Sequence, residues 1–477
     1  MGRRTKIVAT IGPACDTDAG LRSLIEAGMD VARLGFAHGT PERHVETLGR
    51  IRAAAAACGR VVGVLADLPG PKIRTGRFPE DGIQLAVGQR VEVVAGDGQS
   101  GPARITVEYP GLVDDLRAGD RLALGDGAVV LEVERTTPSG AVAVAKSGGW
   151  LQGRPGLRLP ESRTRVSGPT ESDLRTLRLV TEAGFDMVAV SFVQTADDVL
   201  RARRAAGPGG PMIVAKIETK GAVDDLARII DVTDAVMIAR GDLGVECAIE
   251  EVPHLQKRII RTCVQWGRPV ITATQMLETM VHGPVPTRAE ASDIANAVFD
   301  GTDALMLSAE TAIGHDPVEA VRTMARIATT AEREADYVQW GGRLGKLQRL
   351  EPVNGSLAIT AATSMAAWQV ALTVDAAAIL CCTRSGATAR AIARFRPTAP
   401  LIALSPSPST AGQLTLTWGV LPLTVAEQRS TDDIIWFAVQ LIVEMGLAVK
   451  GDNVVVLAGK PDDPDPITDN LRVVRVR

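Results

Sequence analysis

The chain has 477 residues with a formal net charge of −4, and it is 45% apolar, 23% charged and 3% aromatic. That length exceeds what a single hydrophobic core can organise, so two or three domains are expected, and the composition leaves little room for extended disorder. Few aromatic platforms and a negative balance argue against a nucleic-acid partner, and the lack of an apolar run of spanning length argues against a membrane partner.

The opening residues Met1-Gly2-Arg3-Arg4 lead straight into a strand-like run, Ile7–Ile11, without the apolar stretch of a signal peptide, and Lys6 departs from the myristoylation pattern. Cytoplasmic residence is the expectation. Cys15, Cys58, Cys247, Cys263, Cys381 and Cys382 form no CxxC pair and have no histidine at metal-ligand spacing, so they read as reduced, mostly buried thiols.

Short β-branched runs then alternate with helical patterns. The strands are Ile7–Ile11, Val31–Leu34, Val61–Ala66, Met187–Val190, Ile213–Ala215, Ala235–Ile238, Val270–Ile271 and Ala304–Leu307. Helices are predicted over Glu171–Ala183, Gly221–Ile230, Pro253–Trp266 and Arg288–Phe299. Eight strand-then-helix units predict a parallel (β/α)8 barrel. The stretch from Pro71 to Val166 differs, with short alternating runs such as Arg90–Val94 and Val129–Val133 punctuated by Gly, Asp and Pro; it reads as an inserted β domain. Beyond Tyr337 the Gly- and Arg-rich segment Gly341–Leu350 reads as a linker into a further α/β pattern, Ala377–Leu380, Leu401–Leu404 and Asn453–Leu457. Asp432 is the expected cap of an apolar helix there. The expected domains are residues 1–70 with 167–340, residues 71–166, and residues 341–477.

In such a barrel, catalytic groups project from the carboxyl ends of the strands. Lys216 and Glu218 close one strand, Arg240 and Asp242 follow the next, Thr274 and Gln275 the next, and Ser308 and Glu310 the last. Any one of them reads equally as a charged rim residue; four successive strands carrying them point to one site. Glu218 and Asp242 suit Mg²⁺, which takes few protein oxygens and keeps places for substrate and water. Strand alternation puts Lys216 on the same face as Glu218, where a cation can balance a phosphoryl group in flight. The Gly-bearing turn Ala239–Gly244 offers backbone amides to an anion such as a substrate carboxylate.

These residues sit in longer motifs that resemble pyruvate kinase over nearly the whole chain. The motifs are Lys6–Pro13, Glu26–Leu34, Gly70–Gly76, Ala215–Glu218, Arg240–Glu246, Thr272–Met276, Pro286–Glu290 and Met306–Thr311. The resemblance implies an α/β protein: a split TIM barrel, an inserted β-barrel lid and a C-terminal regulatory α/β domain, assembled as a homotetramer. It implies phosphoryl transfer from phosphoenolpyruvate to ADP, giving pyruvate and ATP in glycolysis. By position, Glu218 and Asp242 would hold Mg²⁺ or Mn²⁺, and Lys216 would stabilise the transferring phosphoryl group. Arg33 and Arg74 would contact phosphates, and Arg33, Gly241, Asp242 and Thr274 would hold substrate. Thr274, with Ser308 and Glu310 behind it through water, would protonate the enolate carbon; Arg240 belongs to the same catalytic motif. His38 matches a position near the nucleotide and equally fits an exposed histidine opening a helix.

Three departures stand out. Members of the family commonly hold potassium through oxygens at positions that are here Gly35, Ala37 and Leu68, and Asp67 alone is retained. Lys72 stands where potassium-dependent members carry Glu, so a tethered ammonium is the expected substitute and potassium is not expected to be required. Gly35 and the segment Arg154-Pro155-Gly156 also alter the nucleotide side, where Arg154 is a candidate phosphate contact. Thr383, Ser385, Gly386 and Thr388 match an effector phosphate loop and equally fit a helix cap after a strand. The acidic, glycine-free loop Pro461–Pro466 argues against fructose 1,6-bisphosphate as activator.

Two other readings stay open at this point. One is a divergent barrel enzyme of phosphoenolpyruvate or pyruvate-enolate chemistry with another phosphoryl acceptor or a carbon bond to cleave. The other is a catalytically impaired regulatory paralogue, motivated by Gly35, Ala37 and Pro155. Lys216, Glu218, Asp242, Thr274 and Ser308 favour phosphoryl transfer over both.

Overall fold

A computed structural model describes residues 2–71, 73–125, 129–159, 168–350, 356–427, 430–459 and 467–477. Eight parallel strands close into a barrel: Lys6–Thr10, Val31–Gly35, Gly63–Asp67, Met187–Val190, Met212–Ile217, Ala235–Ala239, Val270–Ala273 and Ala304–Leu307, numbered one to eight below. Each strand pairs with its chain neighbour, and Val8 of strand one lies opposite Val31 of strand two and Met306 of strand eight. Strands one, three, four, six, seven and eight are buried along their whole length. A barrel core covers one face and helices cover the other, which is why these strands are continuous apolar runs instead of alternating ones. Val8, Val31, Leu65, Ala189, Val214, Met237, Ile271 and Met306, one from each strand, share the inner cluster.

Between strands three and four the chain builds the inserted domain. Its six-stranded sheet runs in the order Leu157–Arg158, Arg121–Leu124, Val129–Thr137, Gly140–Ala145, Arg90–Ala95 and Arg104–Val107, beside a two-stranded sheet of Ile83–Leu85 and Gly149–Leu151. Arg90–Ala95 and Val129–Thr137 do alternate, burying one face around Phe78, Leu122 and Leu131. The C-terminal sheet runs Val420–Thr424, Leu401–Ser405, Ala378–Cys382, Asn453–Ala458 and Asn470–Arg475, the last strand antiparallel.

The C-terminal domain closes the amino end of the barrel. Lys6 Nζ donates to the Val420 carbonyl at 2.7 Å, Arg396 pairs with Asp303 at 3.1 Å, and Leu416 joins the inner cluster. Gly63 abuts Thr415 and the Gly412 carbonyl so closely that a Cβ would lie 2.3 Å from the Thr415 hydroxyl. The carboxyl end, where catalytic groups collect, is therefore left to face the lid.

Helix Glu171–Ala183 has the predicted bounds, set by a capping box between Thr170 and Asp173 and by Gly184 in the left-handed region at φ 83°. Helix Arg288–Asp300 starts in the same way, at a Thr287–Glu290 box. Other expectations are corrected. Gly221–Ile230 is two short helices, Lys220–Asp224 and Leu226–Val232, because Asp225 turns out to accept the Ala196 amide at 2.9 Å. The cap of helix Thr431–Glu444 is Ser430, not Asp432. The expected linker Gly341–Leu350 lies inside helix Tyr337–Leu350, whose Leu344 is buried and whose Trp340 donates to the Arg394 carbonyl at 2.9 Å. Gly341 serves close packing there: a Cβ would sit 2.4 Å from the Trp368 ring.

Candidate active site

Strand five ends in Lys216-Ile217 with Glu218 directly after it, and the alternation brings Lys216 Nζ to 3.1 Å from Glu218 Oε2. The ammonium also donates to Ser191 Oγ at 2.7 Å and lies 3.7 Å from Asp67 Oδ1. Glu218 is fully buried; Oε1 accepts the Phe192 amide at 2.7 Å, while Oε2 is met by the Lys216 ammonium alone, as an ion pair without hydrogen-bond geometry. With one amide and one ammonium on it, the carboxylate keeps lone pairs with which it could meet a second cation. Asp242 lies in the short helix Arg240–Glu246 that follows the neighbouring strand six, which pairs with strand five through Lys216 and Met237. Among the described residues no three acidic, His or Cys groups form a metal cage, so a metal held by Glu218 and Asp242 would keep most of its shell for substrate and water.

Arg33 lies in the middle of strand two, its guanidinium held through three nitrogens by two partners. Its Nε and Nη2 both lie 2.7 Å from Asp67 Oδ2, and Nη1 donates to Thr10 Oγ1 at 2.9 Å. Thr10 in turn donates to the Leu307 carbonyl, so strands one, two, three and eight hold one arginine in place. Burial alone would raise the Asp67 carboxyl; the charges of Lys216 and Arg33 outweigh it and hold the group below the usual aspartate value.

At strand seven, Thr274 and Gln275 adopt φ of 69° and 54°, and Phe192 after strand four has φ 56°. Left-handed backbone at non-glycine residues costs free energy, and three of the five such residues among the described residues border this one rim. The Thr274 hydroxyl accepts the Gly241 amide at 2.8 Å and donates to the Ala273 carbonyl at 2.6 Å. One amide of the expected anion turn is thus already engaged. Arg240 donates to the Ala273 and Thr274 carbonyls at 3.1 and 2.7 Å and grips both oxygens of Asp293, at 2.8 and 2.7 Å. These contacts make it a residue that shapes the Thr274 turn. Glu310 is buried, accepting the Ser308 and Leu277 amides at 2.6 and 3.1 Å, and it makes no direct hydrogen bond to Thr274.

The remaining expected residues lie further out. His38 is exposed on the turn before helix Pro41–Ala57, its carbonyl 2.7 Å from His44 Nε2. Arg74 sits where the chain enters the lid, bridging to Gly156 and donating to the Arg154 carbonyl at 3.2 Å, and Arg154 itself pairs with Glu108. Lys72 and the loop 461–466 fall outside the described residues. In the C-terminal domain, Thr383, Ser385 and Thr388 line a cavity of about 100 Å³ together with Arg384, Glu427 and Thr468. Gly386, in the left-handed region, gives its amide to the Thr383 hydroxyl at 2.9 Å.

Several participants escape sequence reasoning. Ser191 and Phe192 could have been found as the residues following strand four, and Thr10 as the last of strand one. Asp293 and the lid residue Arg158, which contacts Asp242, carry no local signal at all.

Residues 2–321 match the pyruvate kinase barrel domain, and residues 361–474 match the pyruvate kinase alpha/beta domain. The chain is 41% identical to the pyruvate kinases of Geobacillus stearothermophilus and Bacillus licheniformis and 39% identical to that of Staphylococcus aureus strain USA300. Each alignment covers 99% of this chain and 80% of the relative. On matches of that extent, with the barrel, lid and α/β domain in place, the chain belongs to the pyruvate kinase family of phosphotransferases.

Proposed function

We propose that this chain moves the phosphoryl group of phosphoenolpyruvate to ADP at the carboxyl rim of its barrel, releasing pyruvate and ATP. The observation that carries the reading is the Lys216 ammonium at the rim, 3.1 Å from the fully buried Glu218 carboxylate and 3.7 Å from Asp67. The enol phosphate P–O bond breaks as a bond to the ADP β-phosphate oxygen forms; Lys216 and Arg33 face the negative charge spread over the phosphoryl oxygens in between. A divalent ion, Mg²⁺ or Mn²⁺, held by Glu218 and Asp242 would supply charge neutralisation for phosphate and enolate oxygens. The enolate that remains takes a proton at carbon. Thr274 is the proposed residue on that side, and the strained turn that holds it is fixed by Arg240 and Asp293.

The cation side is expected to work without potassium. Gly35, Ala37 and Leu68 offer no side-chain oxygens, and the retained Asp67 is already matched by Arg33 and Lys216. Lys72 remains the proposed substitute charge. Arg74 and His38 are the proposed nucleotide contacts, and the Thr383–Thr388 loop the proposed effector-phosphate contact. Assembly as a homotetramer and a glycolytic, cytoplasmic role follow the family; no helix among the described residues is long and apolar enough to cross a membrane.

The test is pyruvate release from phosphoenolpyruvate, ADP and Mg²⁺ at constant ionic strength, with and without potassium. Turnover should be the same in both, and Lys216→Met should lower kcat by about 10²- to 10³-fold, the usual cost of removing one preorganised charge stabiliser. A folded protein inactive with every nucleoside diphosphate would remove the reading; strong activation by potassium would remove its cation half.

A further inference from the structure

Arg158 is the last residue of the lid strand Leu157–Arg158, which pairs with Arg121–Leu124 through the register Arg158 to Ala123. It sits at the crossover into the lid: the Leu157 amide donates to the Ile73 carbonyl at 2.9 Å and the Thr75 amide to the Pro155 carbonyl at 3.0 Å. Its side chain leaves the lid altogether. Nη2 pairs with Asp242 Oδ1, Nη1 lies 3.2 Å from the Asp242 carbonyl and 3.9 Å from Glu246 Oε1. The guanidinium is 5.6 Å from the ring centroid of Phe192, the residue whose amide holds Glu218. Only 15% of the side chain is exposed.

A guanidinium stays charged at every working pH and spreads its donors in a rigid fork. Seated on Asp242 Oδ1 and on the Asp242 carbonyl, it neutralises the carboxylate at the place where a divalent ion would approach. Two cations cannot share that oxygen without repulsion, so whatever favours one disfavours the other. Because Arg158 is fixed to the lid crossover, the competition is also a competition between lid position and metal.

We propose that Arg158 is a positioning residue for this reaction: it holds Asp242 when no metal is bound, and it must leave Asp242 for the divalent ion to enter, which links metal loading to movement of the lid. The proposal rests on the reading of Asp242 as a metal ligand. Mn²⁺ binding to the full-length protein without substrates, followed by the paramagnetic resonance signal of free Mn²⁺, separates the two. Arg158→Gln should bind Mn²⁺ about 5- to 150-fold more tightly than the natural protein, the range of ordinary coupling between linked sites. Arg158→Lys, which keeps the charge, should restore weaker binding, and Asp242→Asn should lose binding in either background. Unchanged or weaker binding in Arg158→Gln, with Asp242→Asn still impaired, overturns the competition alone. Wild-type binding by Asp242→Asn overturns the ligand reading and the competition with it. Should Arg158→Gln fail to fold, binding by Arg158→Lys as weak as or weaker than the natural protein's supports the competition, and markedly tighter binding overturns it.

Discussion

Asp67→Asn removes the one negative charge that Arg33 and Lys216 share. Two Arg33 nitrogens lie 2.7 Å from Oδ2, and Lys216 Nζ lies 3.7 Å from Oδ1. With an effective dielectric of about 20, a unit pair at those separations is worth about 6 and about 4.5 kcal/mol before desolvation. Desolvation takes back much of that, and removing one partner of a buried pair costs about 3–5 kcal/mol in practice, here because Arg33 loses its carboxylate while Lys216 keeps Glu218. The Asp67 carboxyl is held below its ordinary value, so the stability it contributes is present above the unfolded aspartate pKa, about 3.9. That contribution is lost as pH falls through the lower folded value. Urea unfolding followed by tryptophan fluorescence, which reports on Trp340, Trp368 and Trp418 at the base of the barrel, should therefore show a midpoint deficit for Asp67→Asn. The deficit should be constant from pH 8 down to about 5 and shrink only below about pH 4. A variant within about 1 kcal/mol of the natural protein at pH 7, or a deficit gone by pH 6, would refute the reasoning.

Two further expectations concern packing. Gly341→Ala forces a methyl group against the Trp368 ring, where a Cβ would stand 2.4 Å away, and should cost about 1–3 kcal/mol as overpacking, read as a lowered thermal midpoint. If the residue were a flexible linker position, the same change would be neutral or stabilising. Burial pushes the Cys15 thiol up to about 11 and the Cys382 thiol up to about 12, and raises Cys263 and Cys381 as well. Since the thiolate is the reactive form, a disulfide reagent at pH 8 should modify the half-buried Cys58 and Cys247 first in the native protein. Equally fast labelling of the buried Cys15, Cys263 or Cys381 would contradict the burial.

Much of this protein is readable along the chain because its signals are local. Each barrel strand is a short, largely buried apolar run, and each candidate site side chain lies at or within a few residues of the end of its strand. Lys216, Glu218, Asp242 and Thr274 could thus be picked out by position, and the motifs around them identify the family. Tertiary structure alone decided what lies between those ends. Strand order brings Asp67, Ser191 and Lys216 together, although they are separated by scores of residues, and makes Asp67 a shared counter-ion. Arg240 meets Asp293, 53 residues away, through helix packing, and Arg158 meets Asp242, 84 residues away, across two domains. Glycine at position 341 looks like freedom in one dimension and is close approach in three. A local pattern records which backbone a segment prefers; charge partners and packing distances belong to pairs of segments, and they exist only once the barrel has closed and the lid has come down on it.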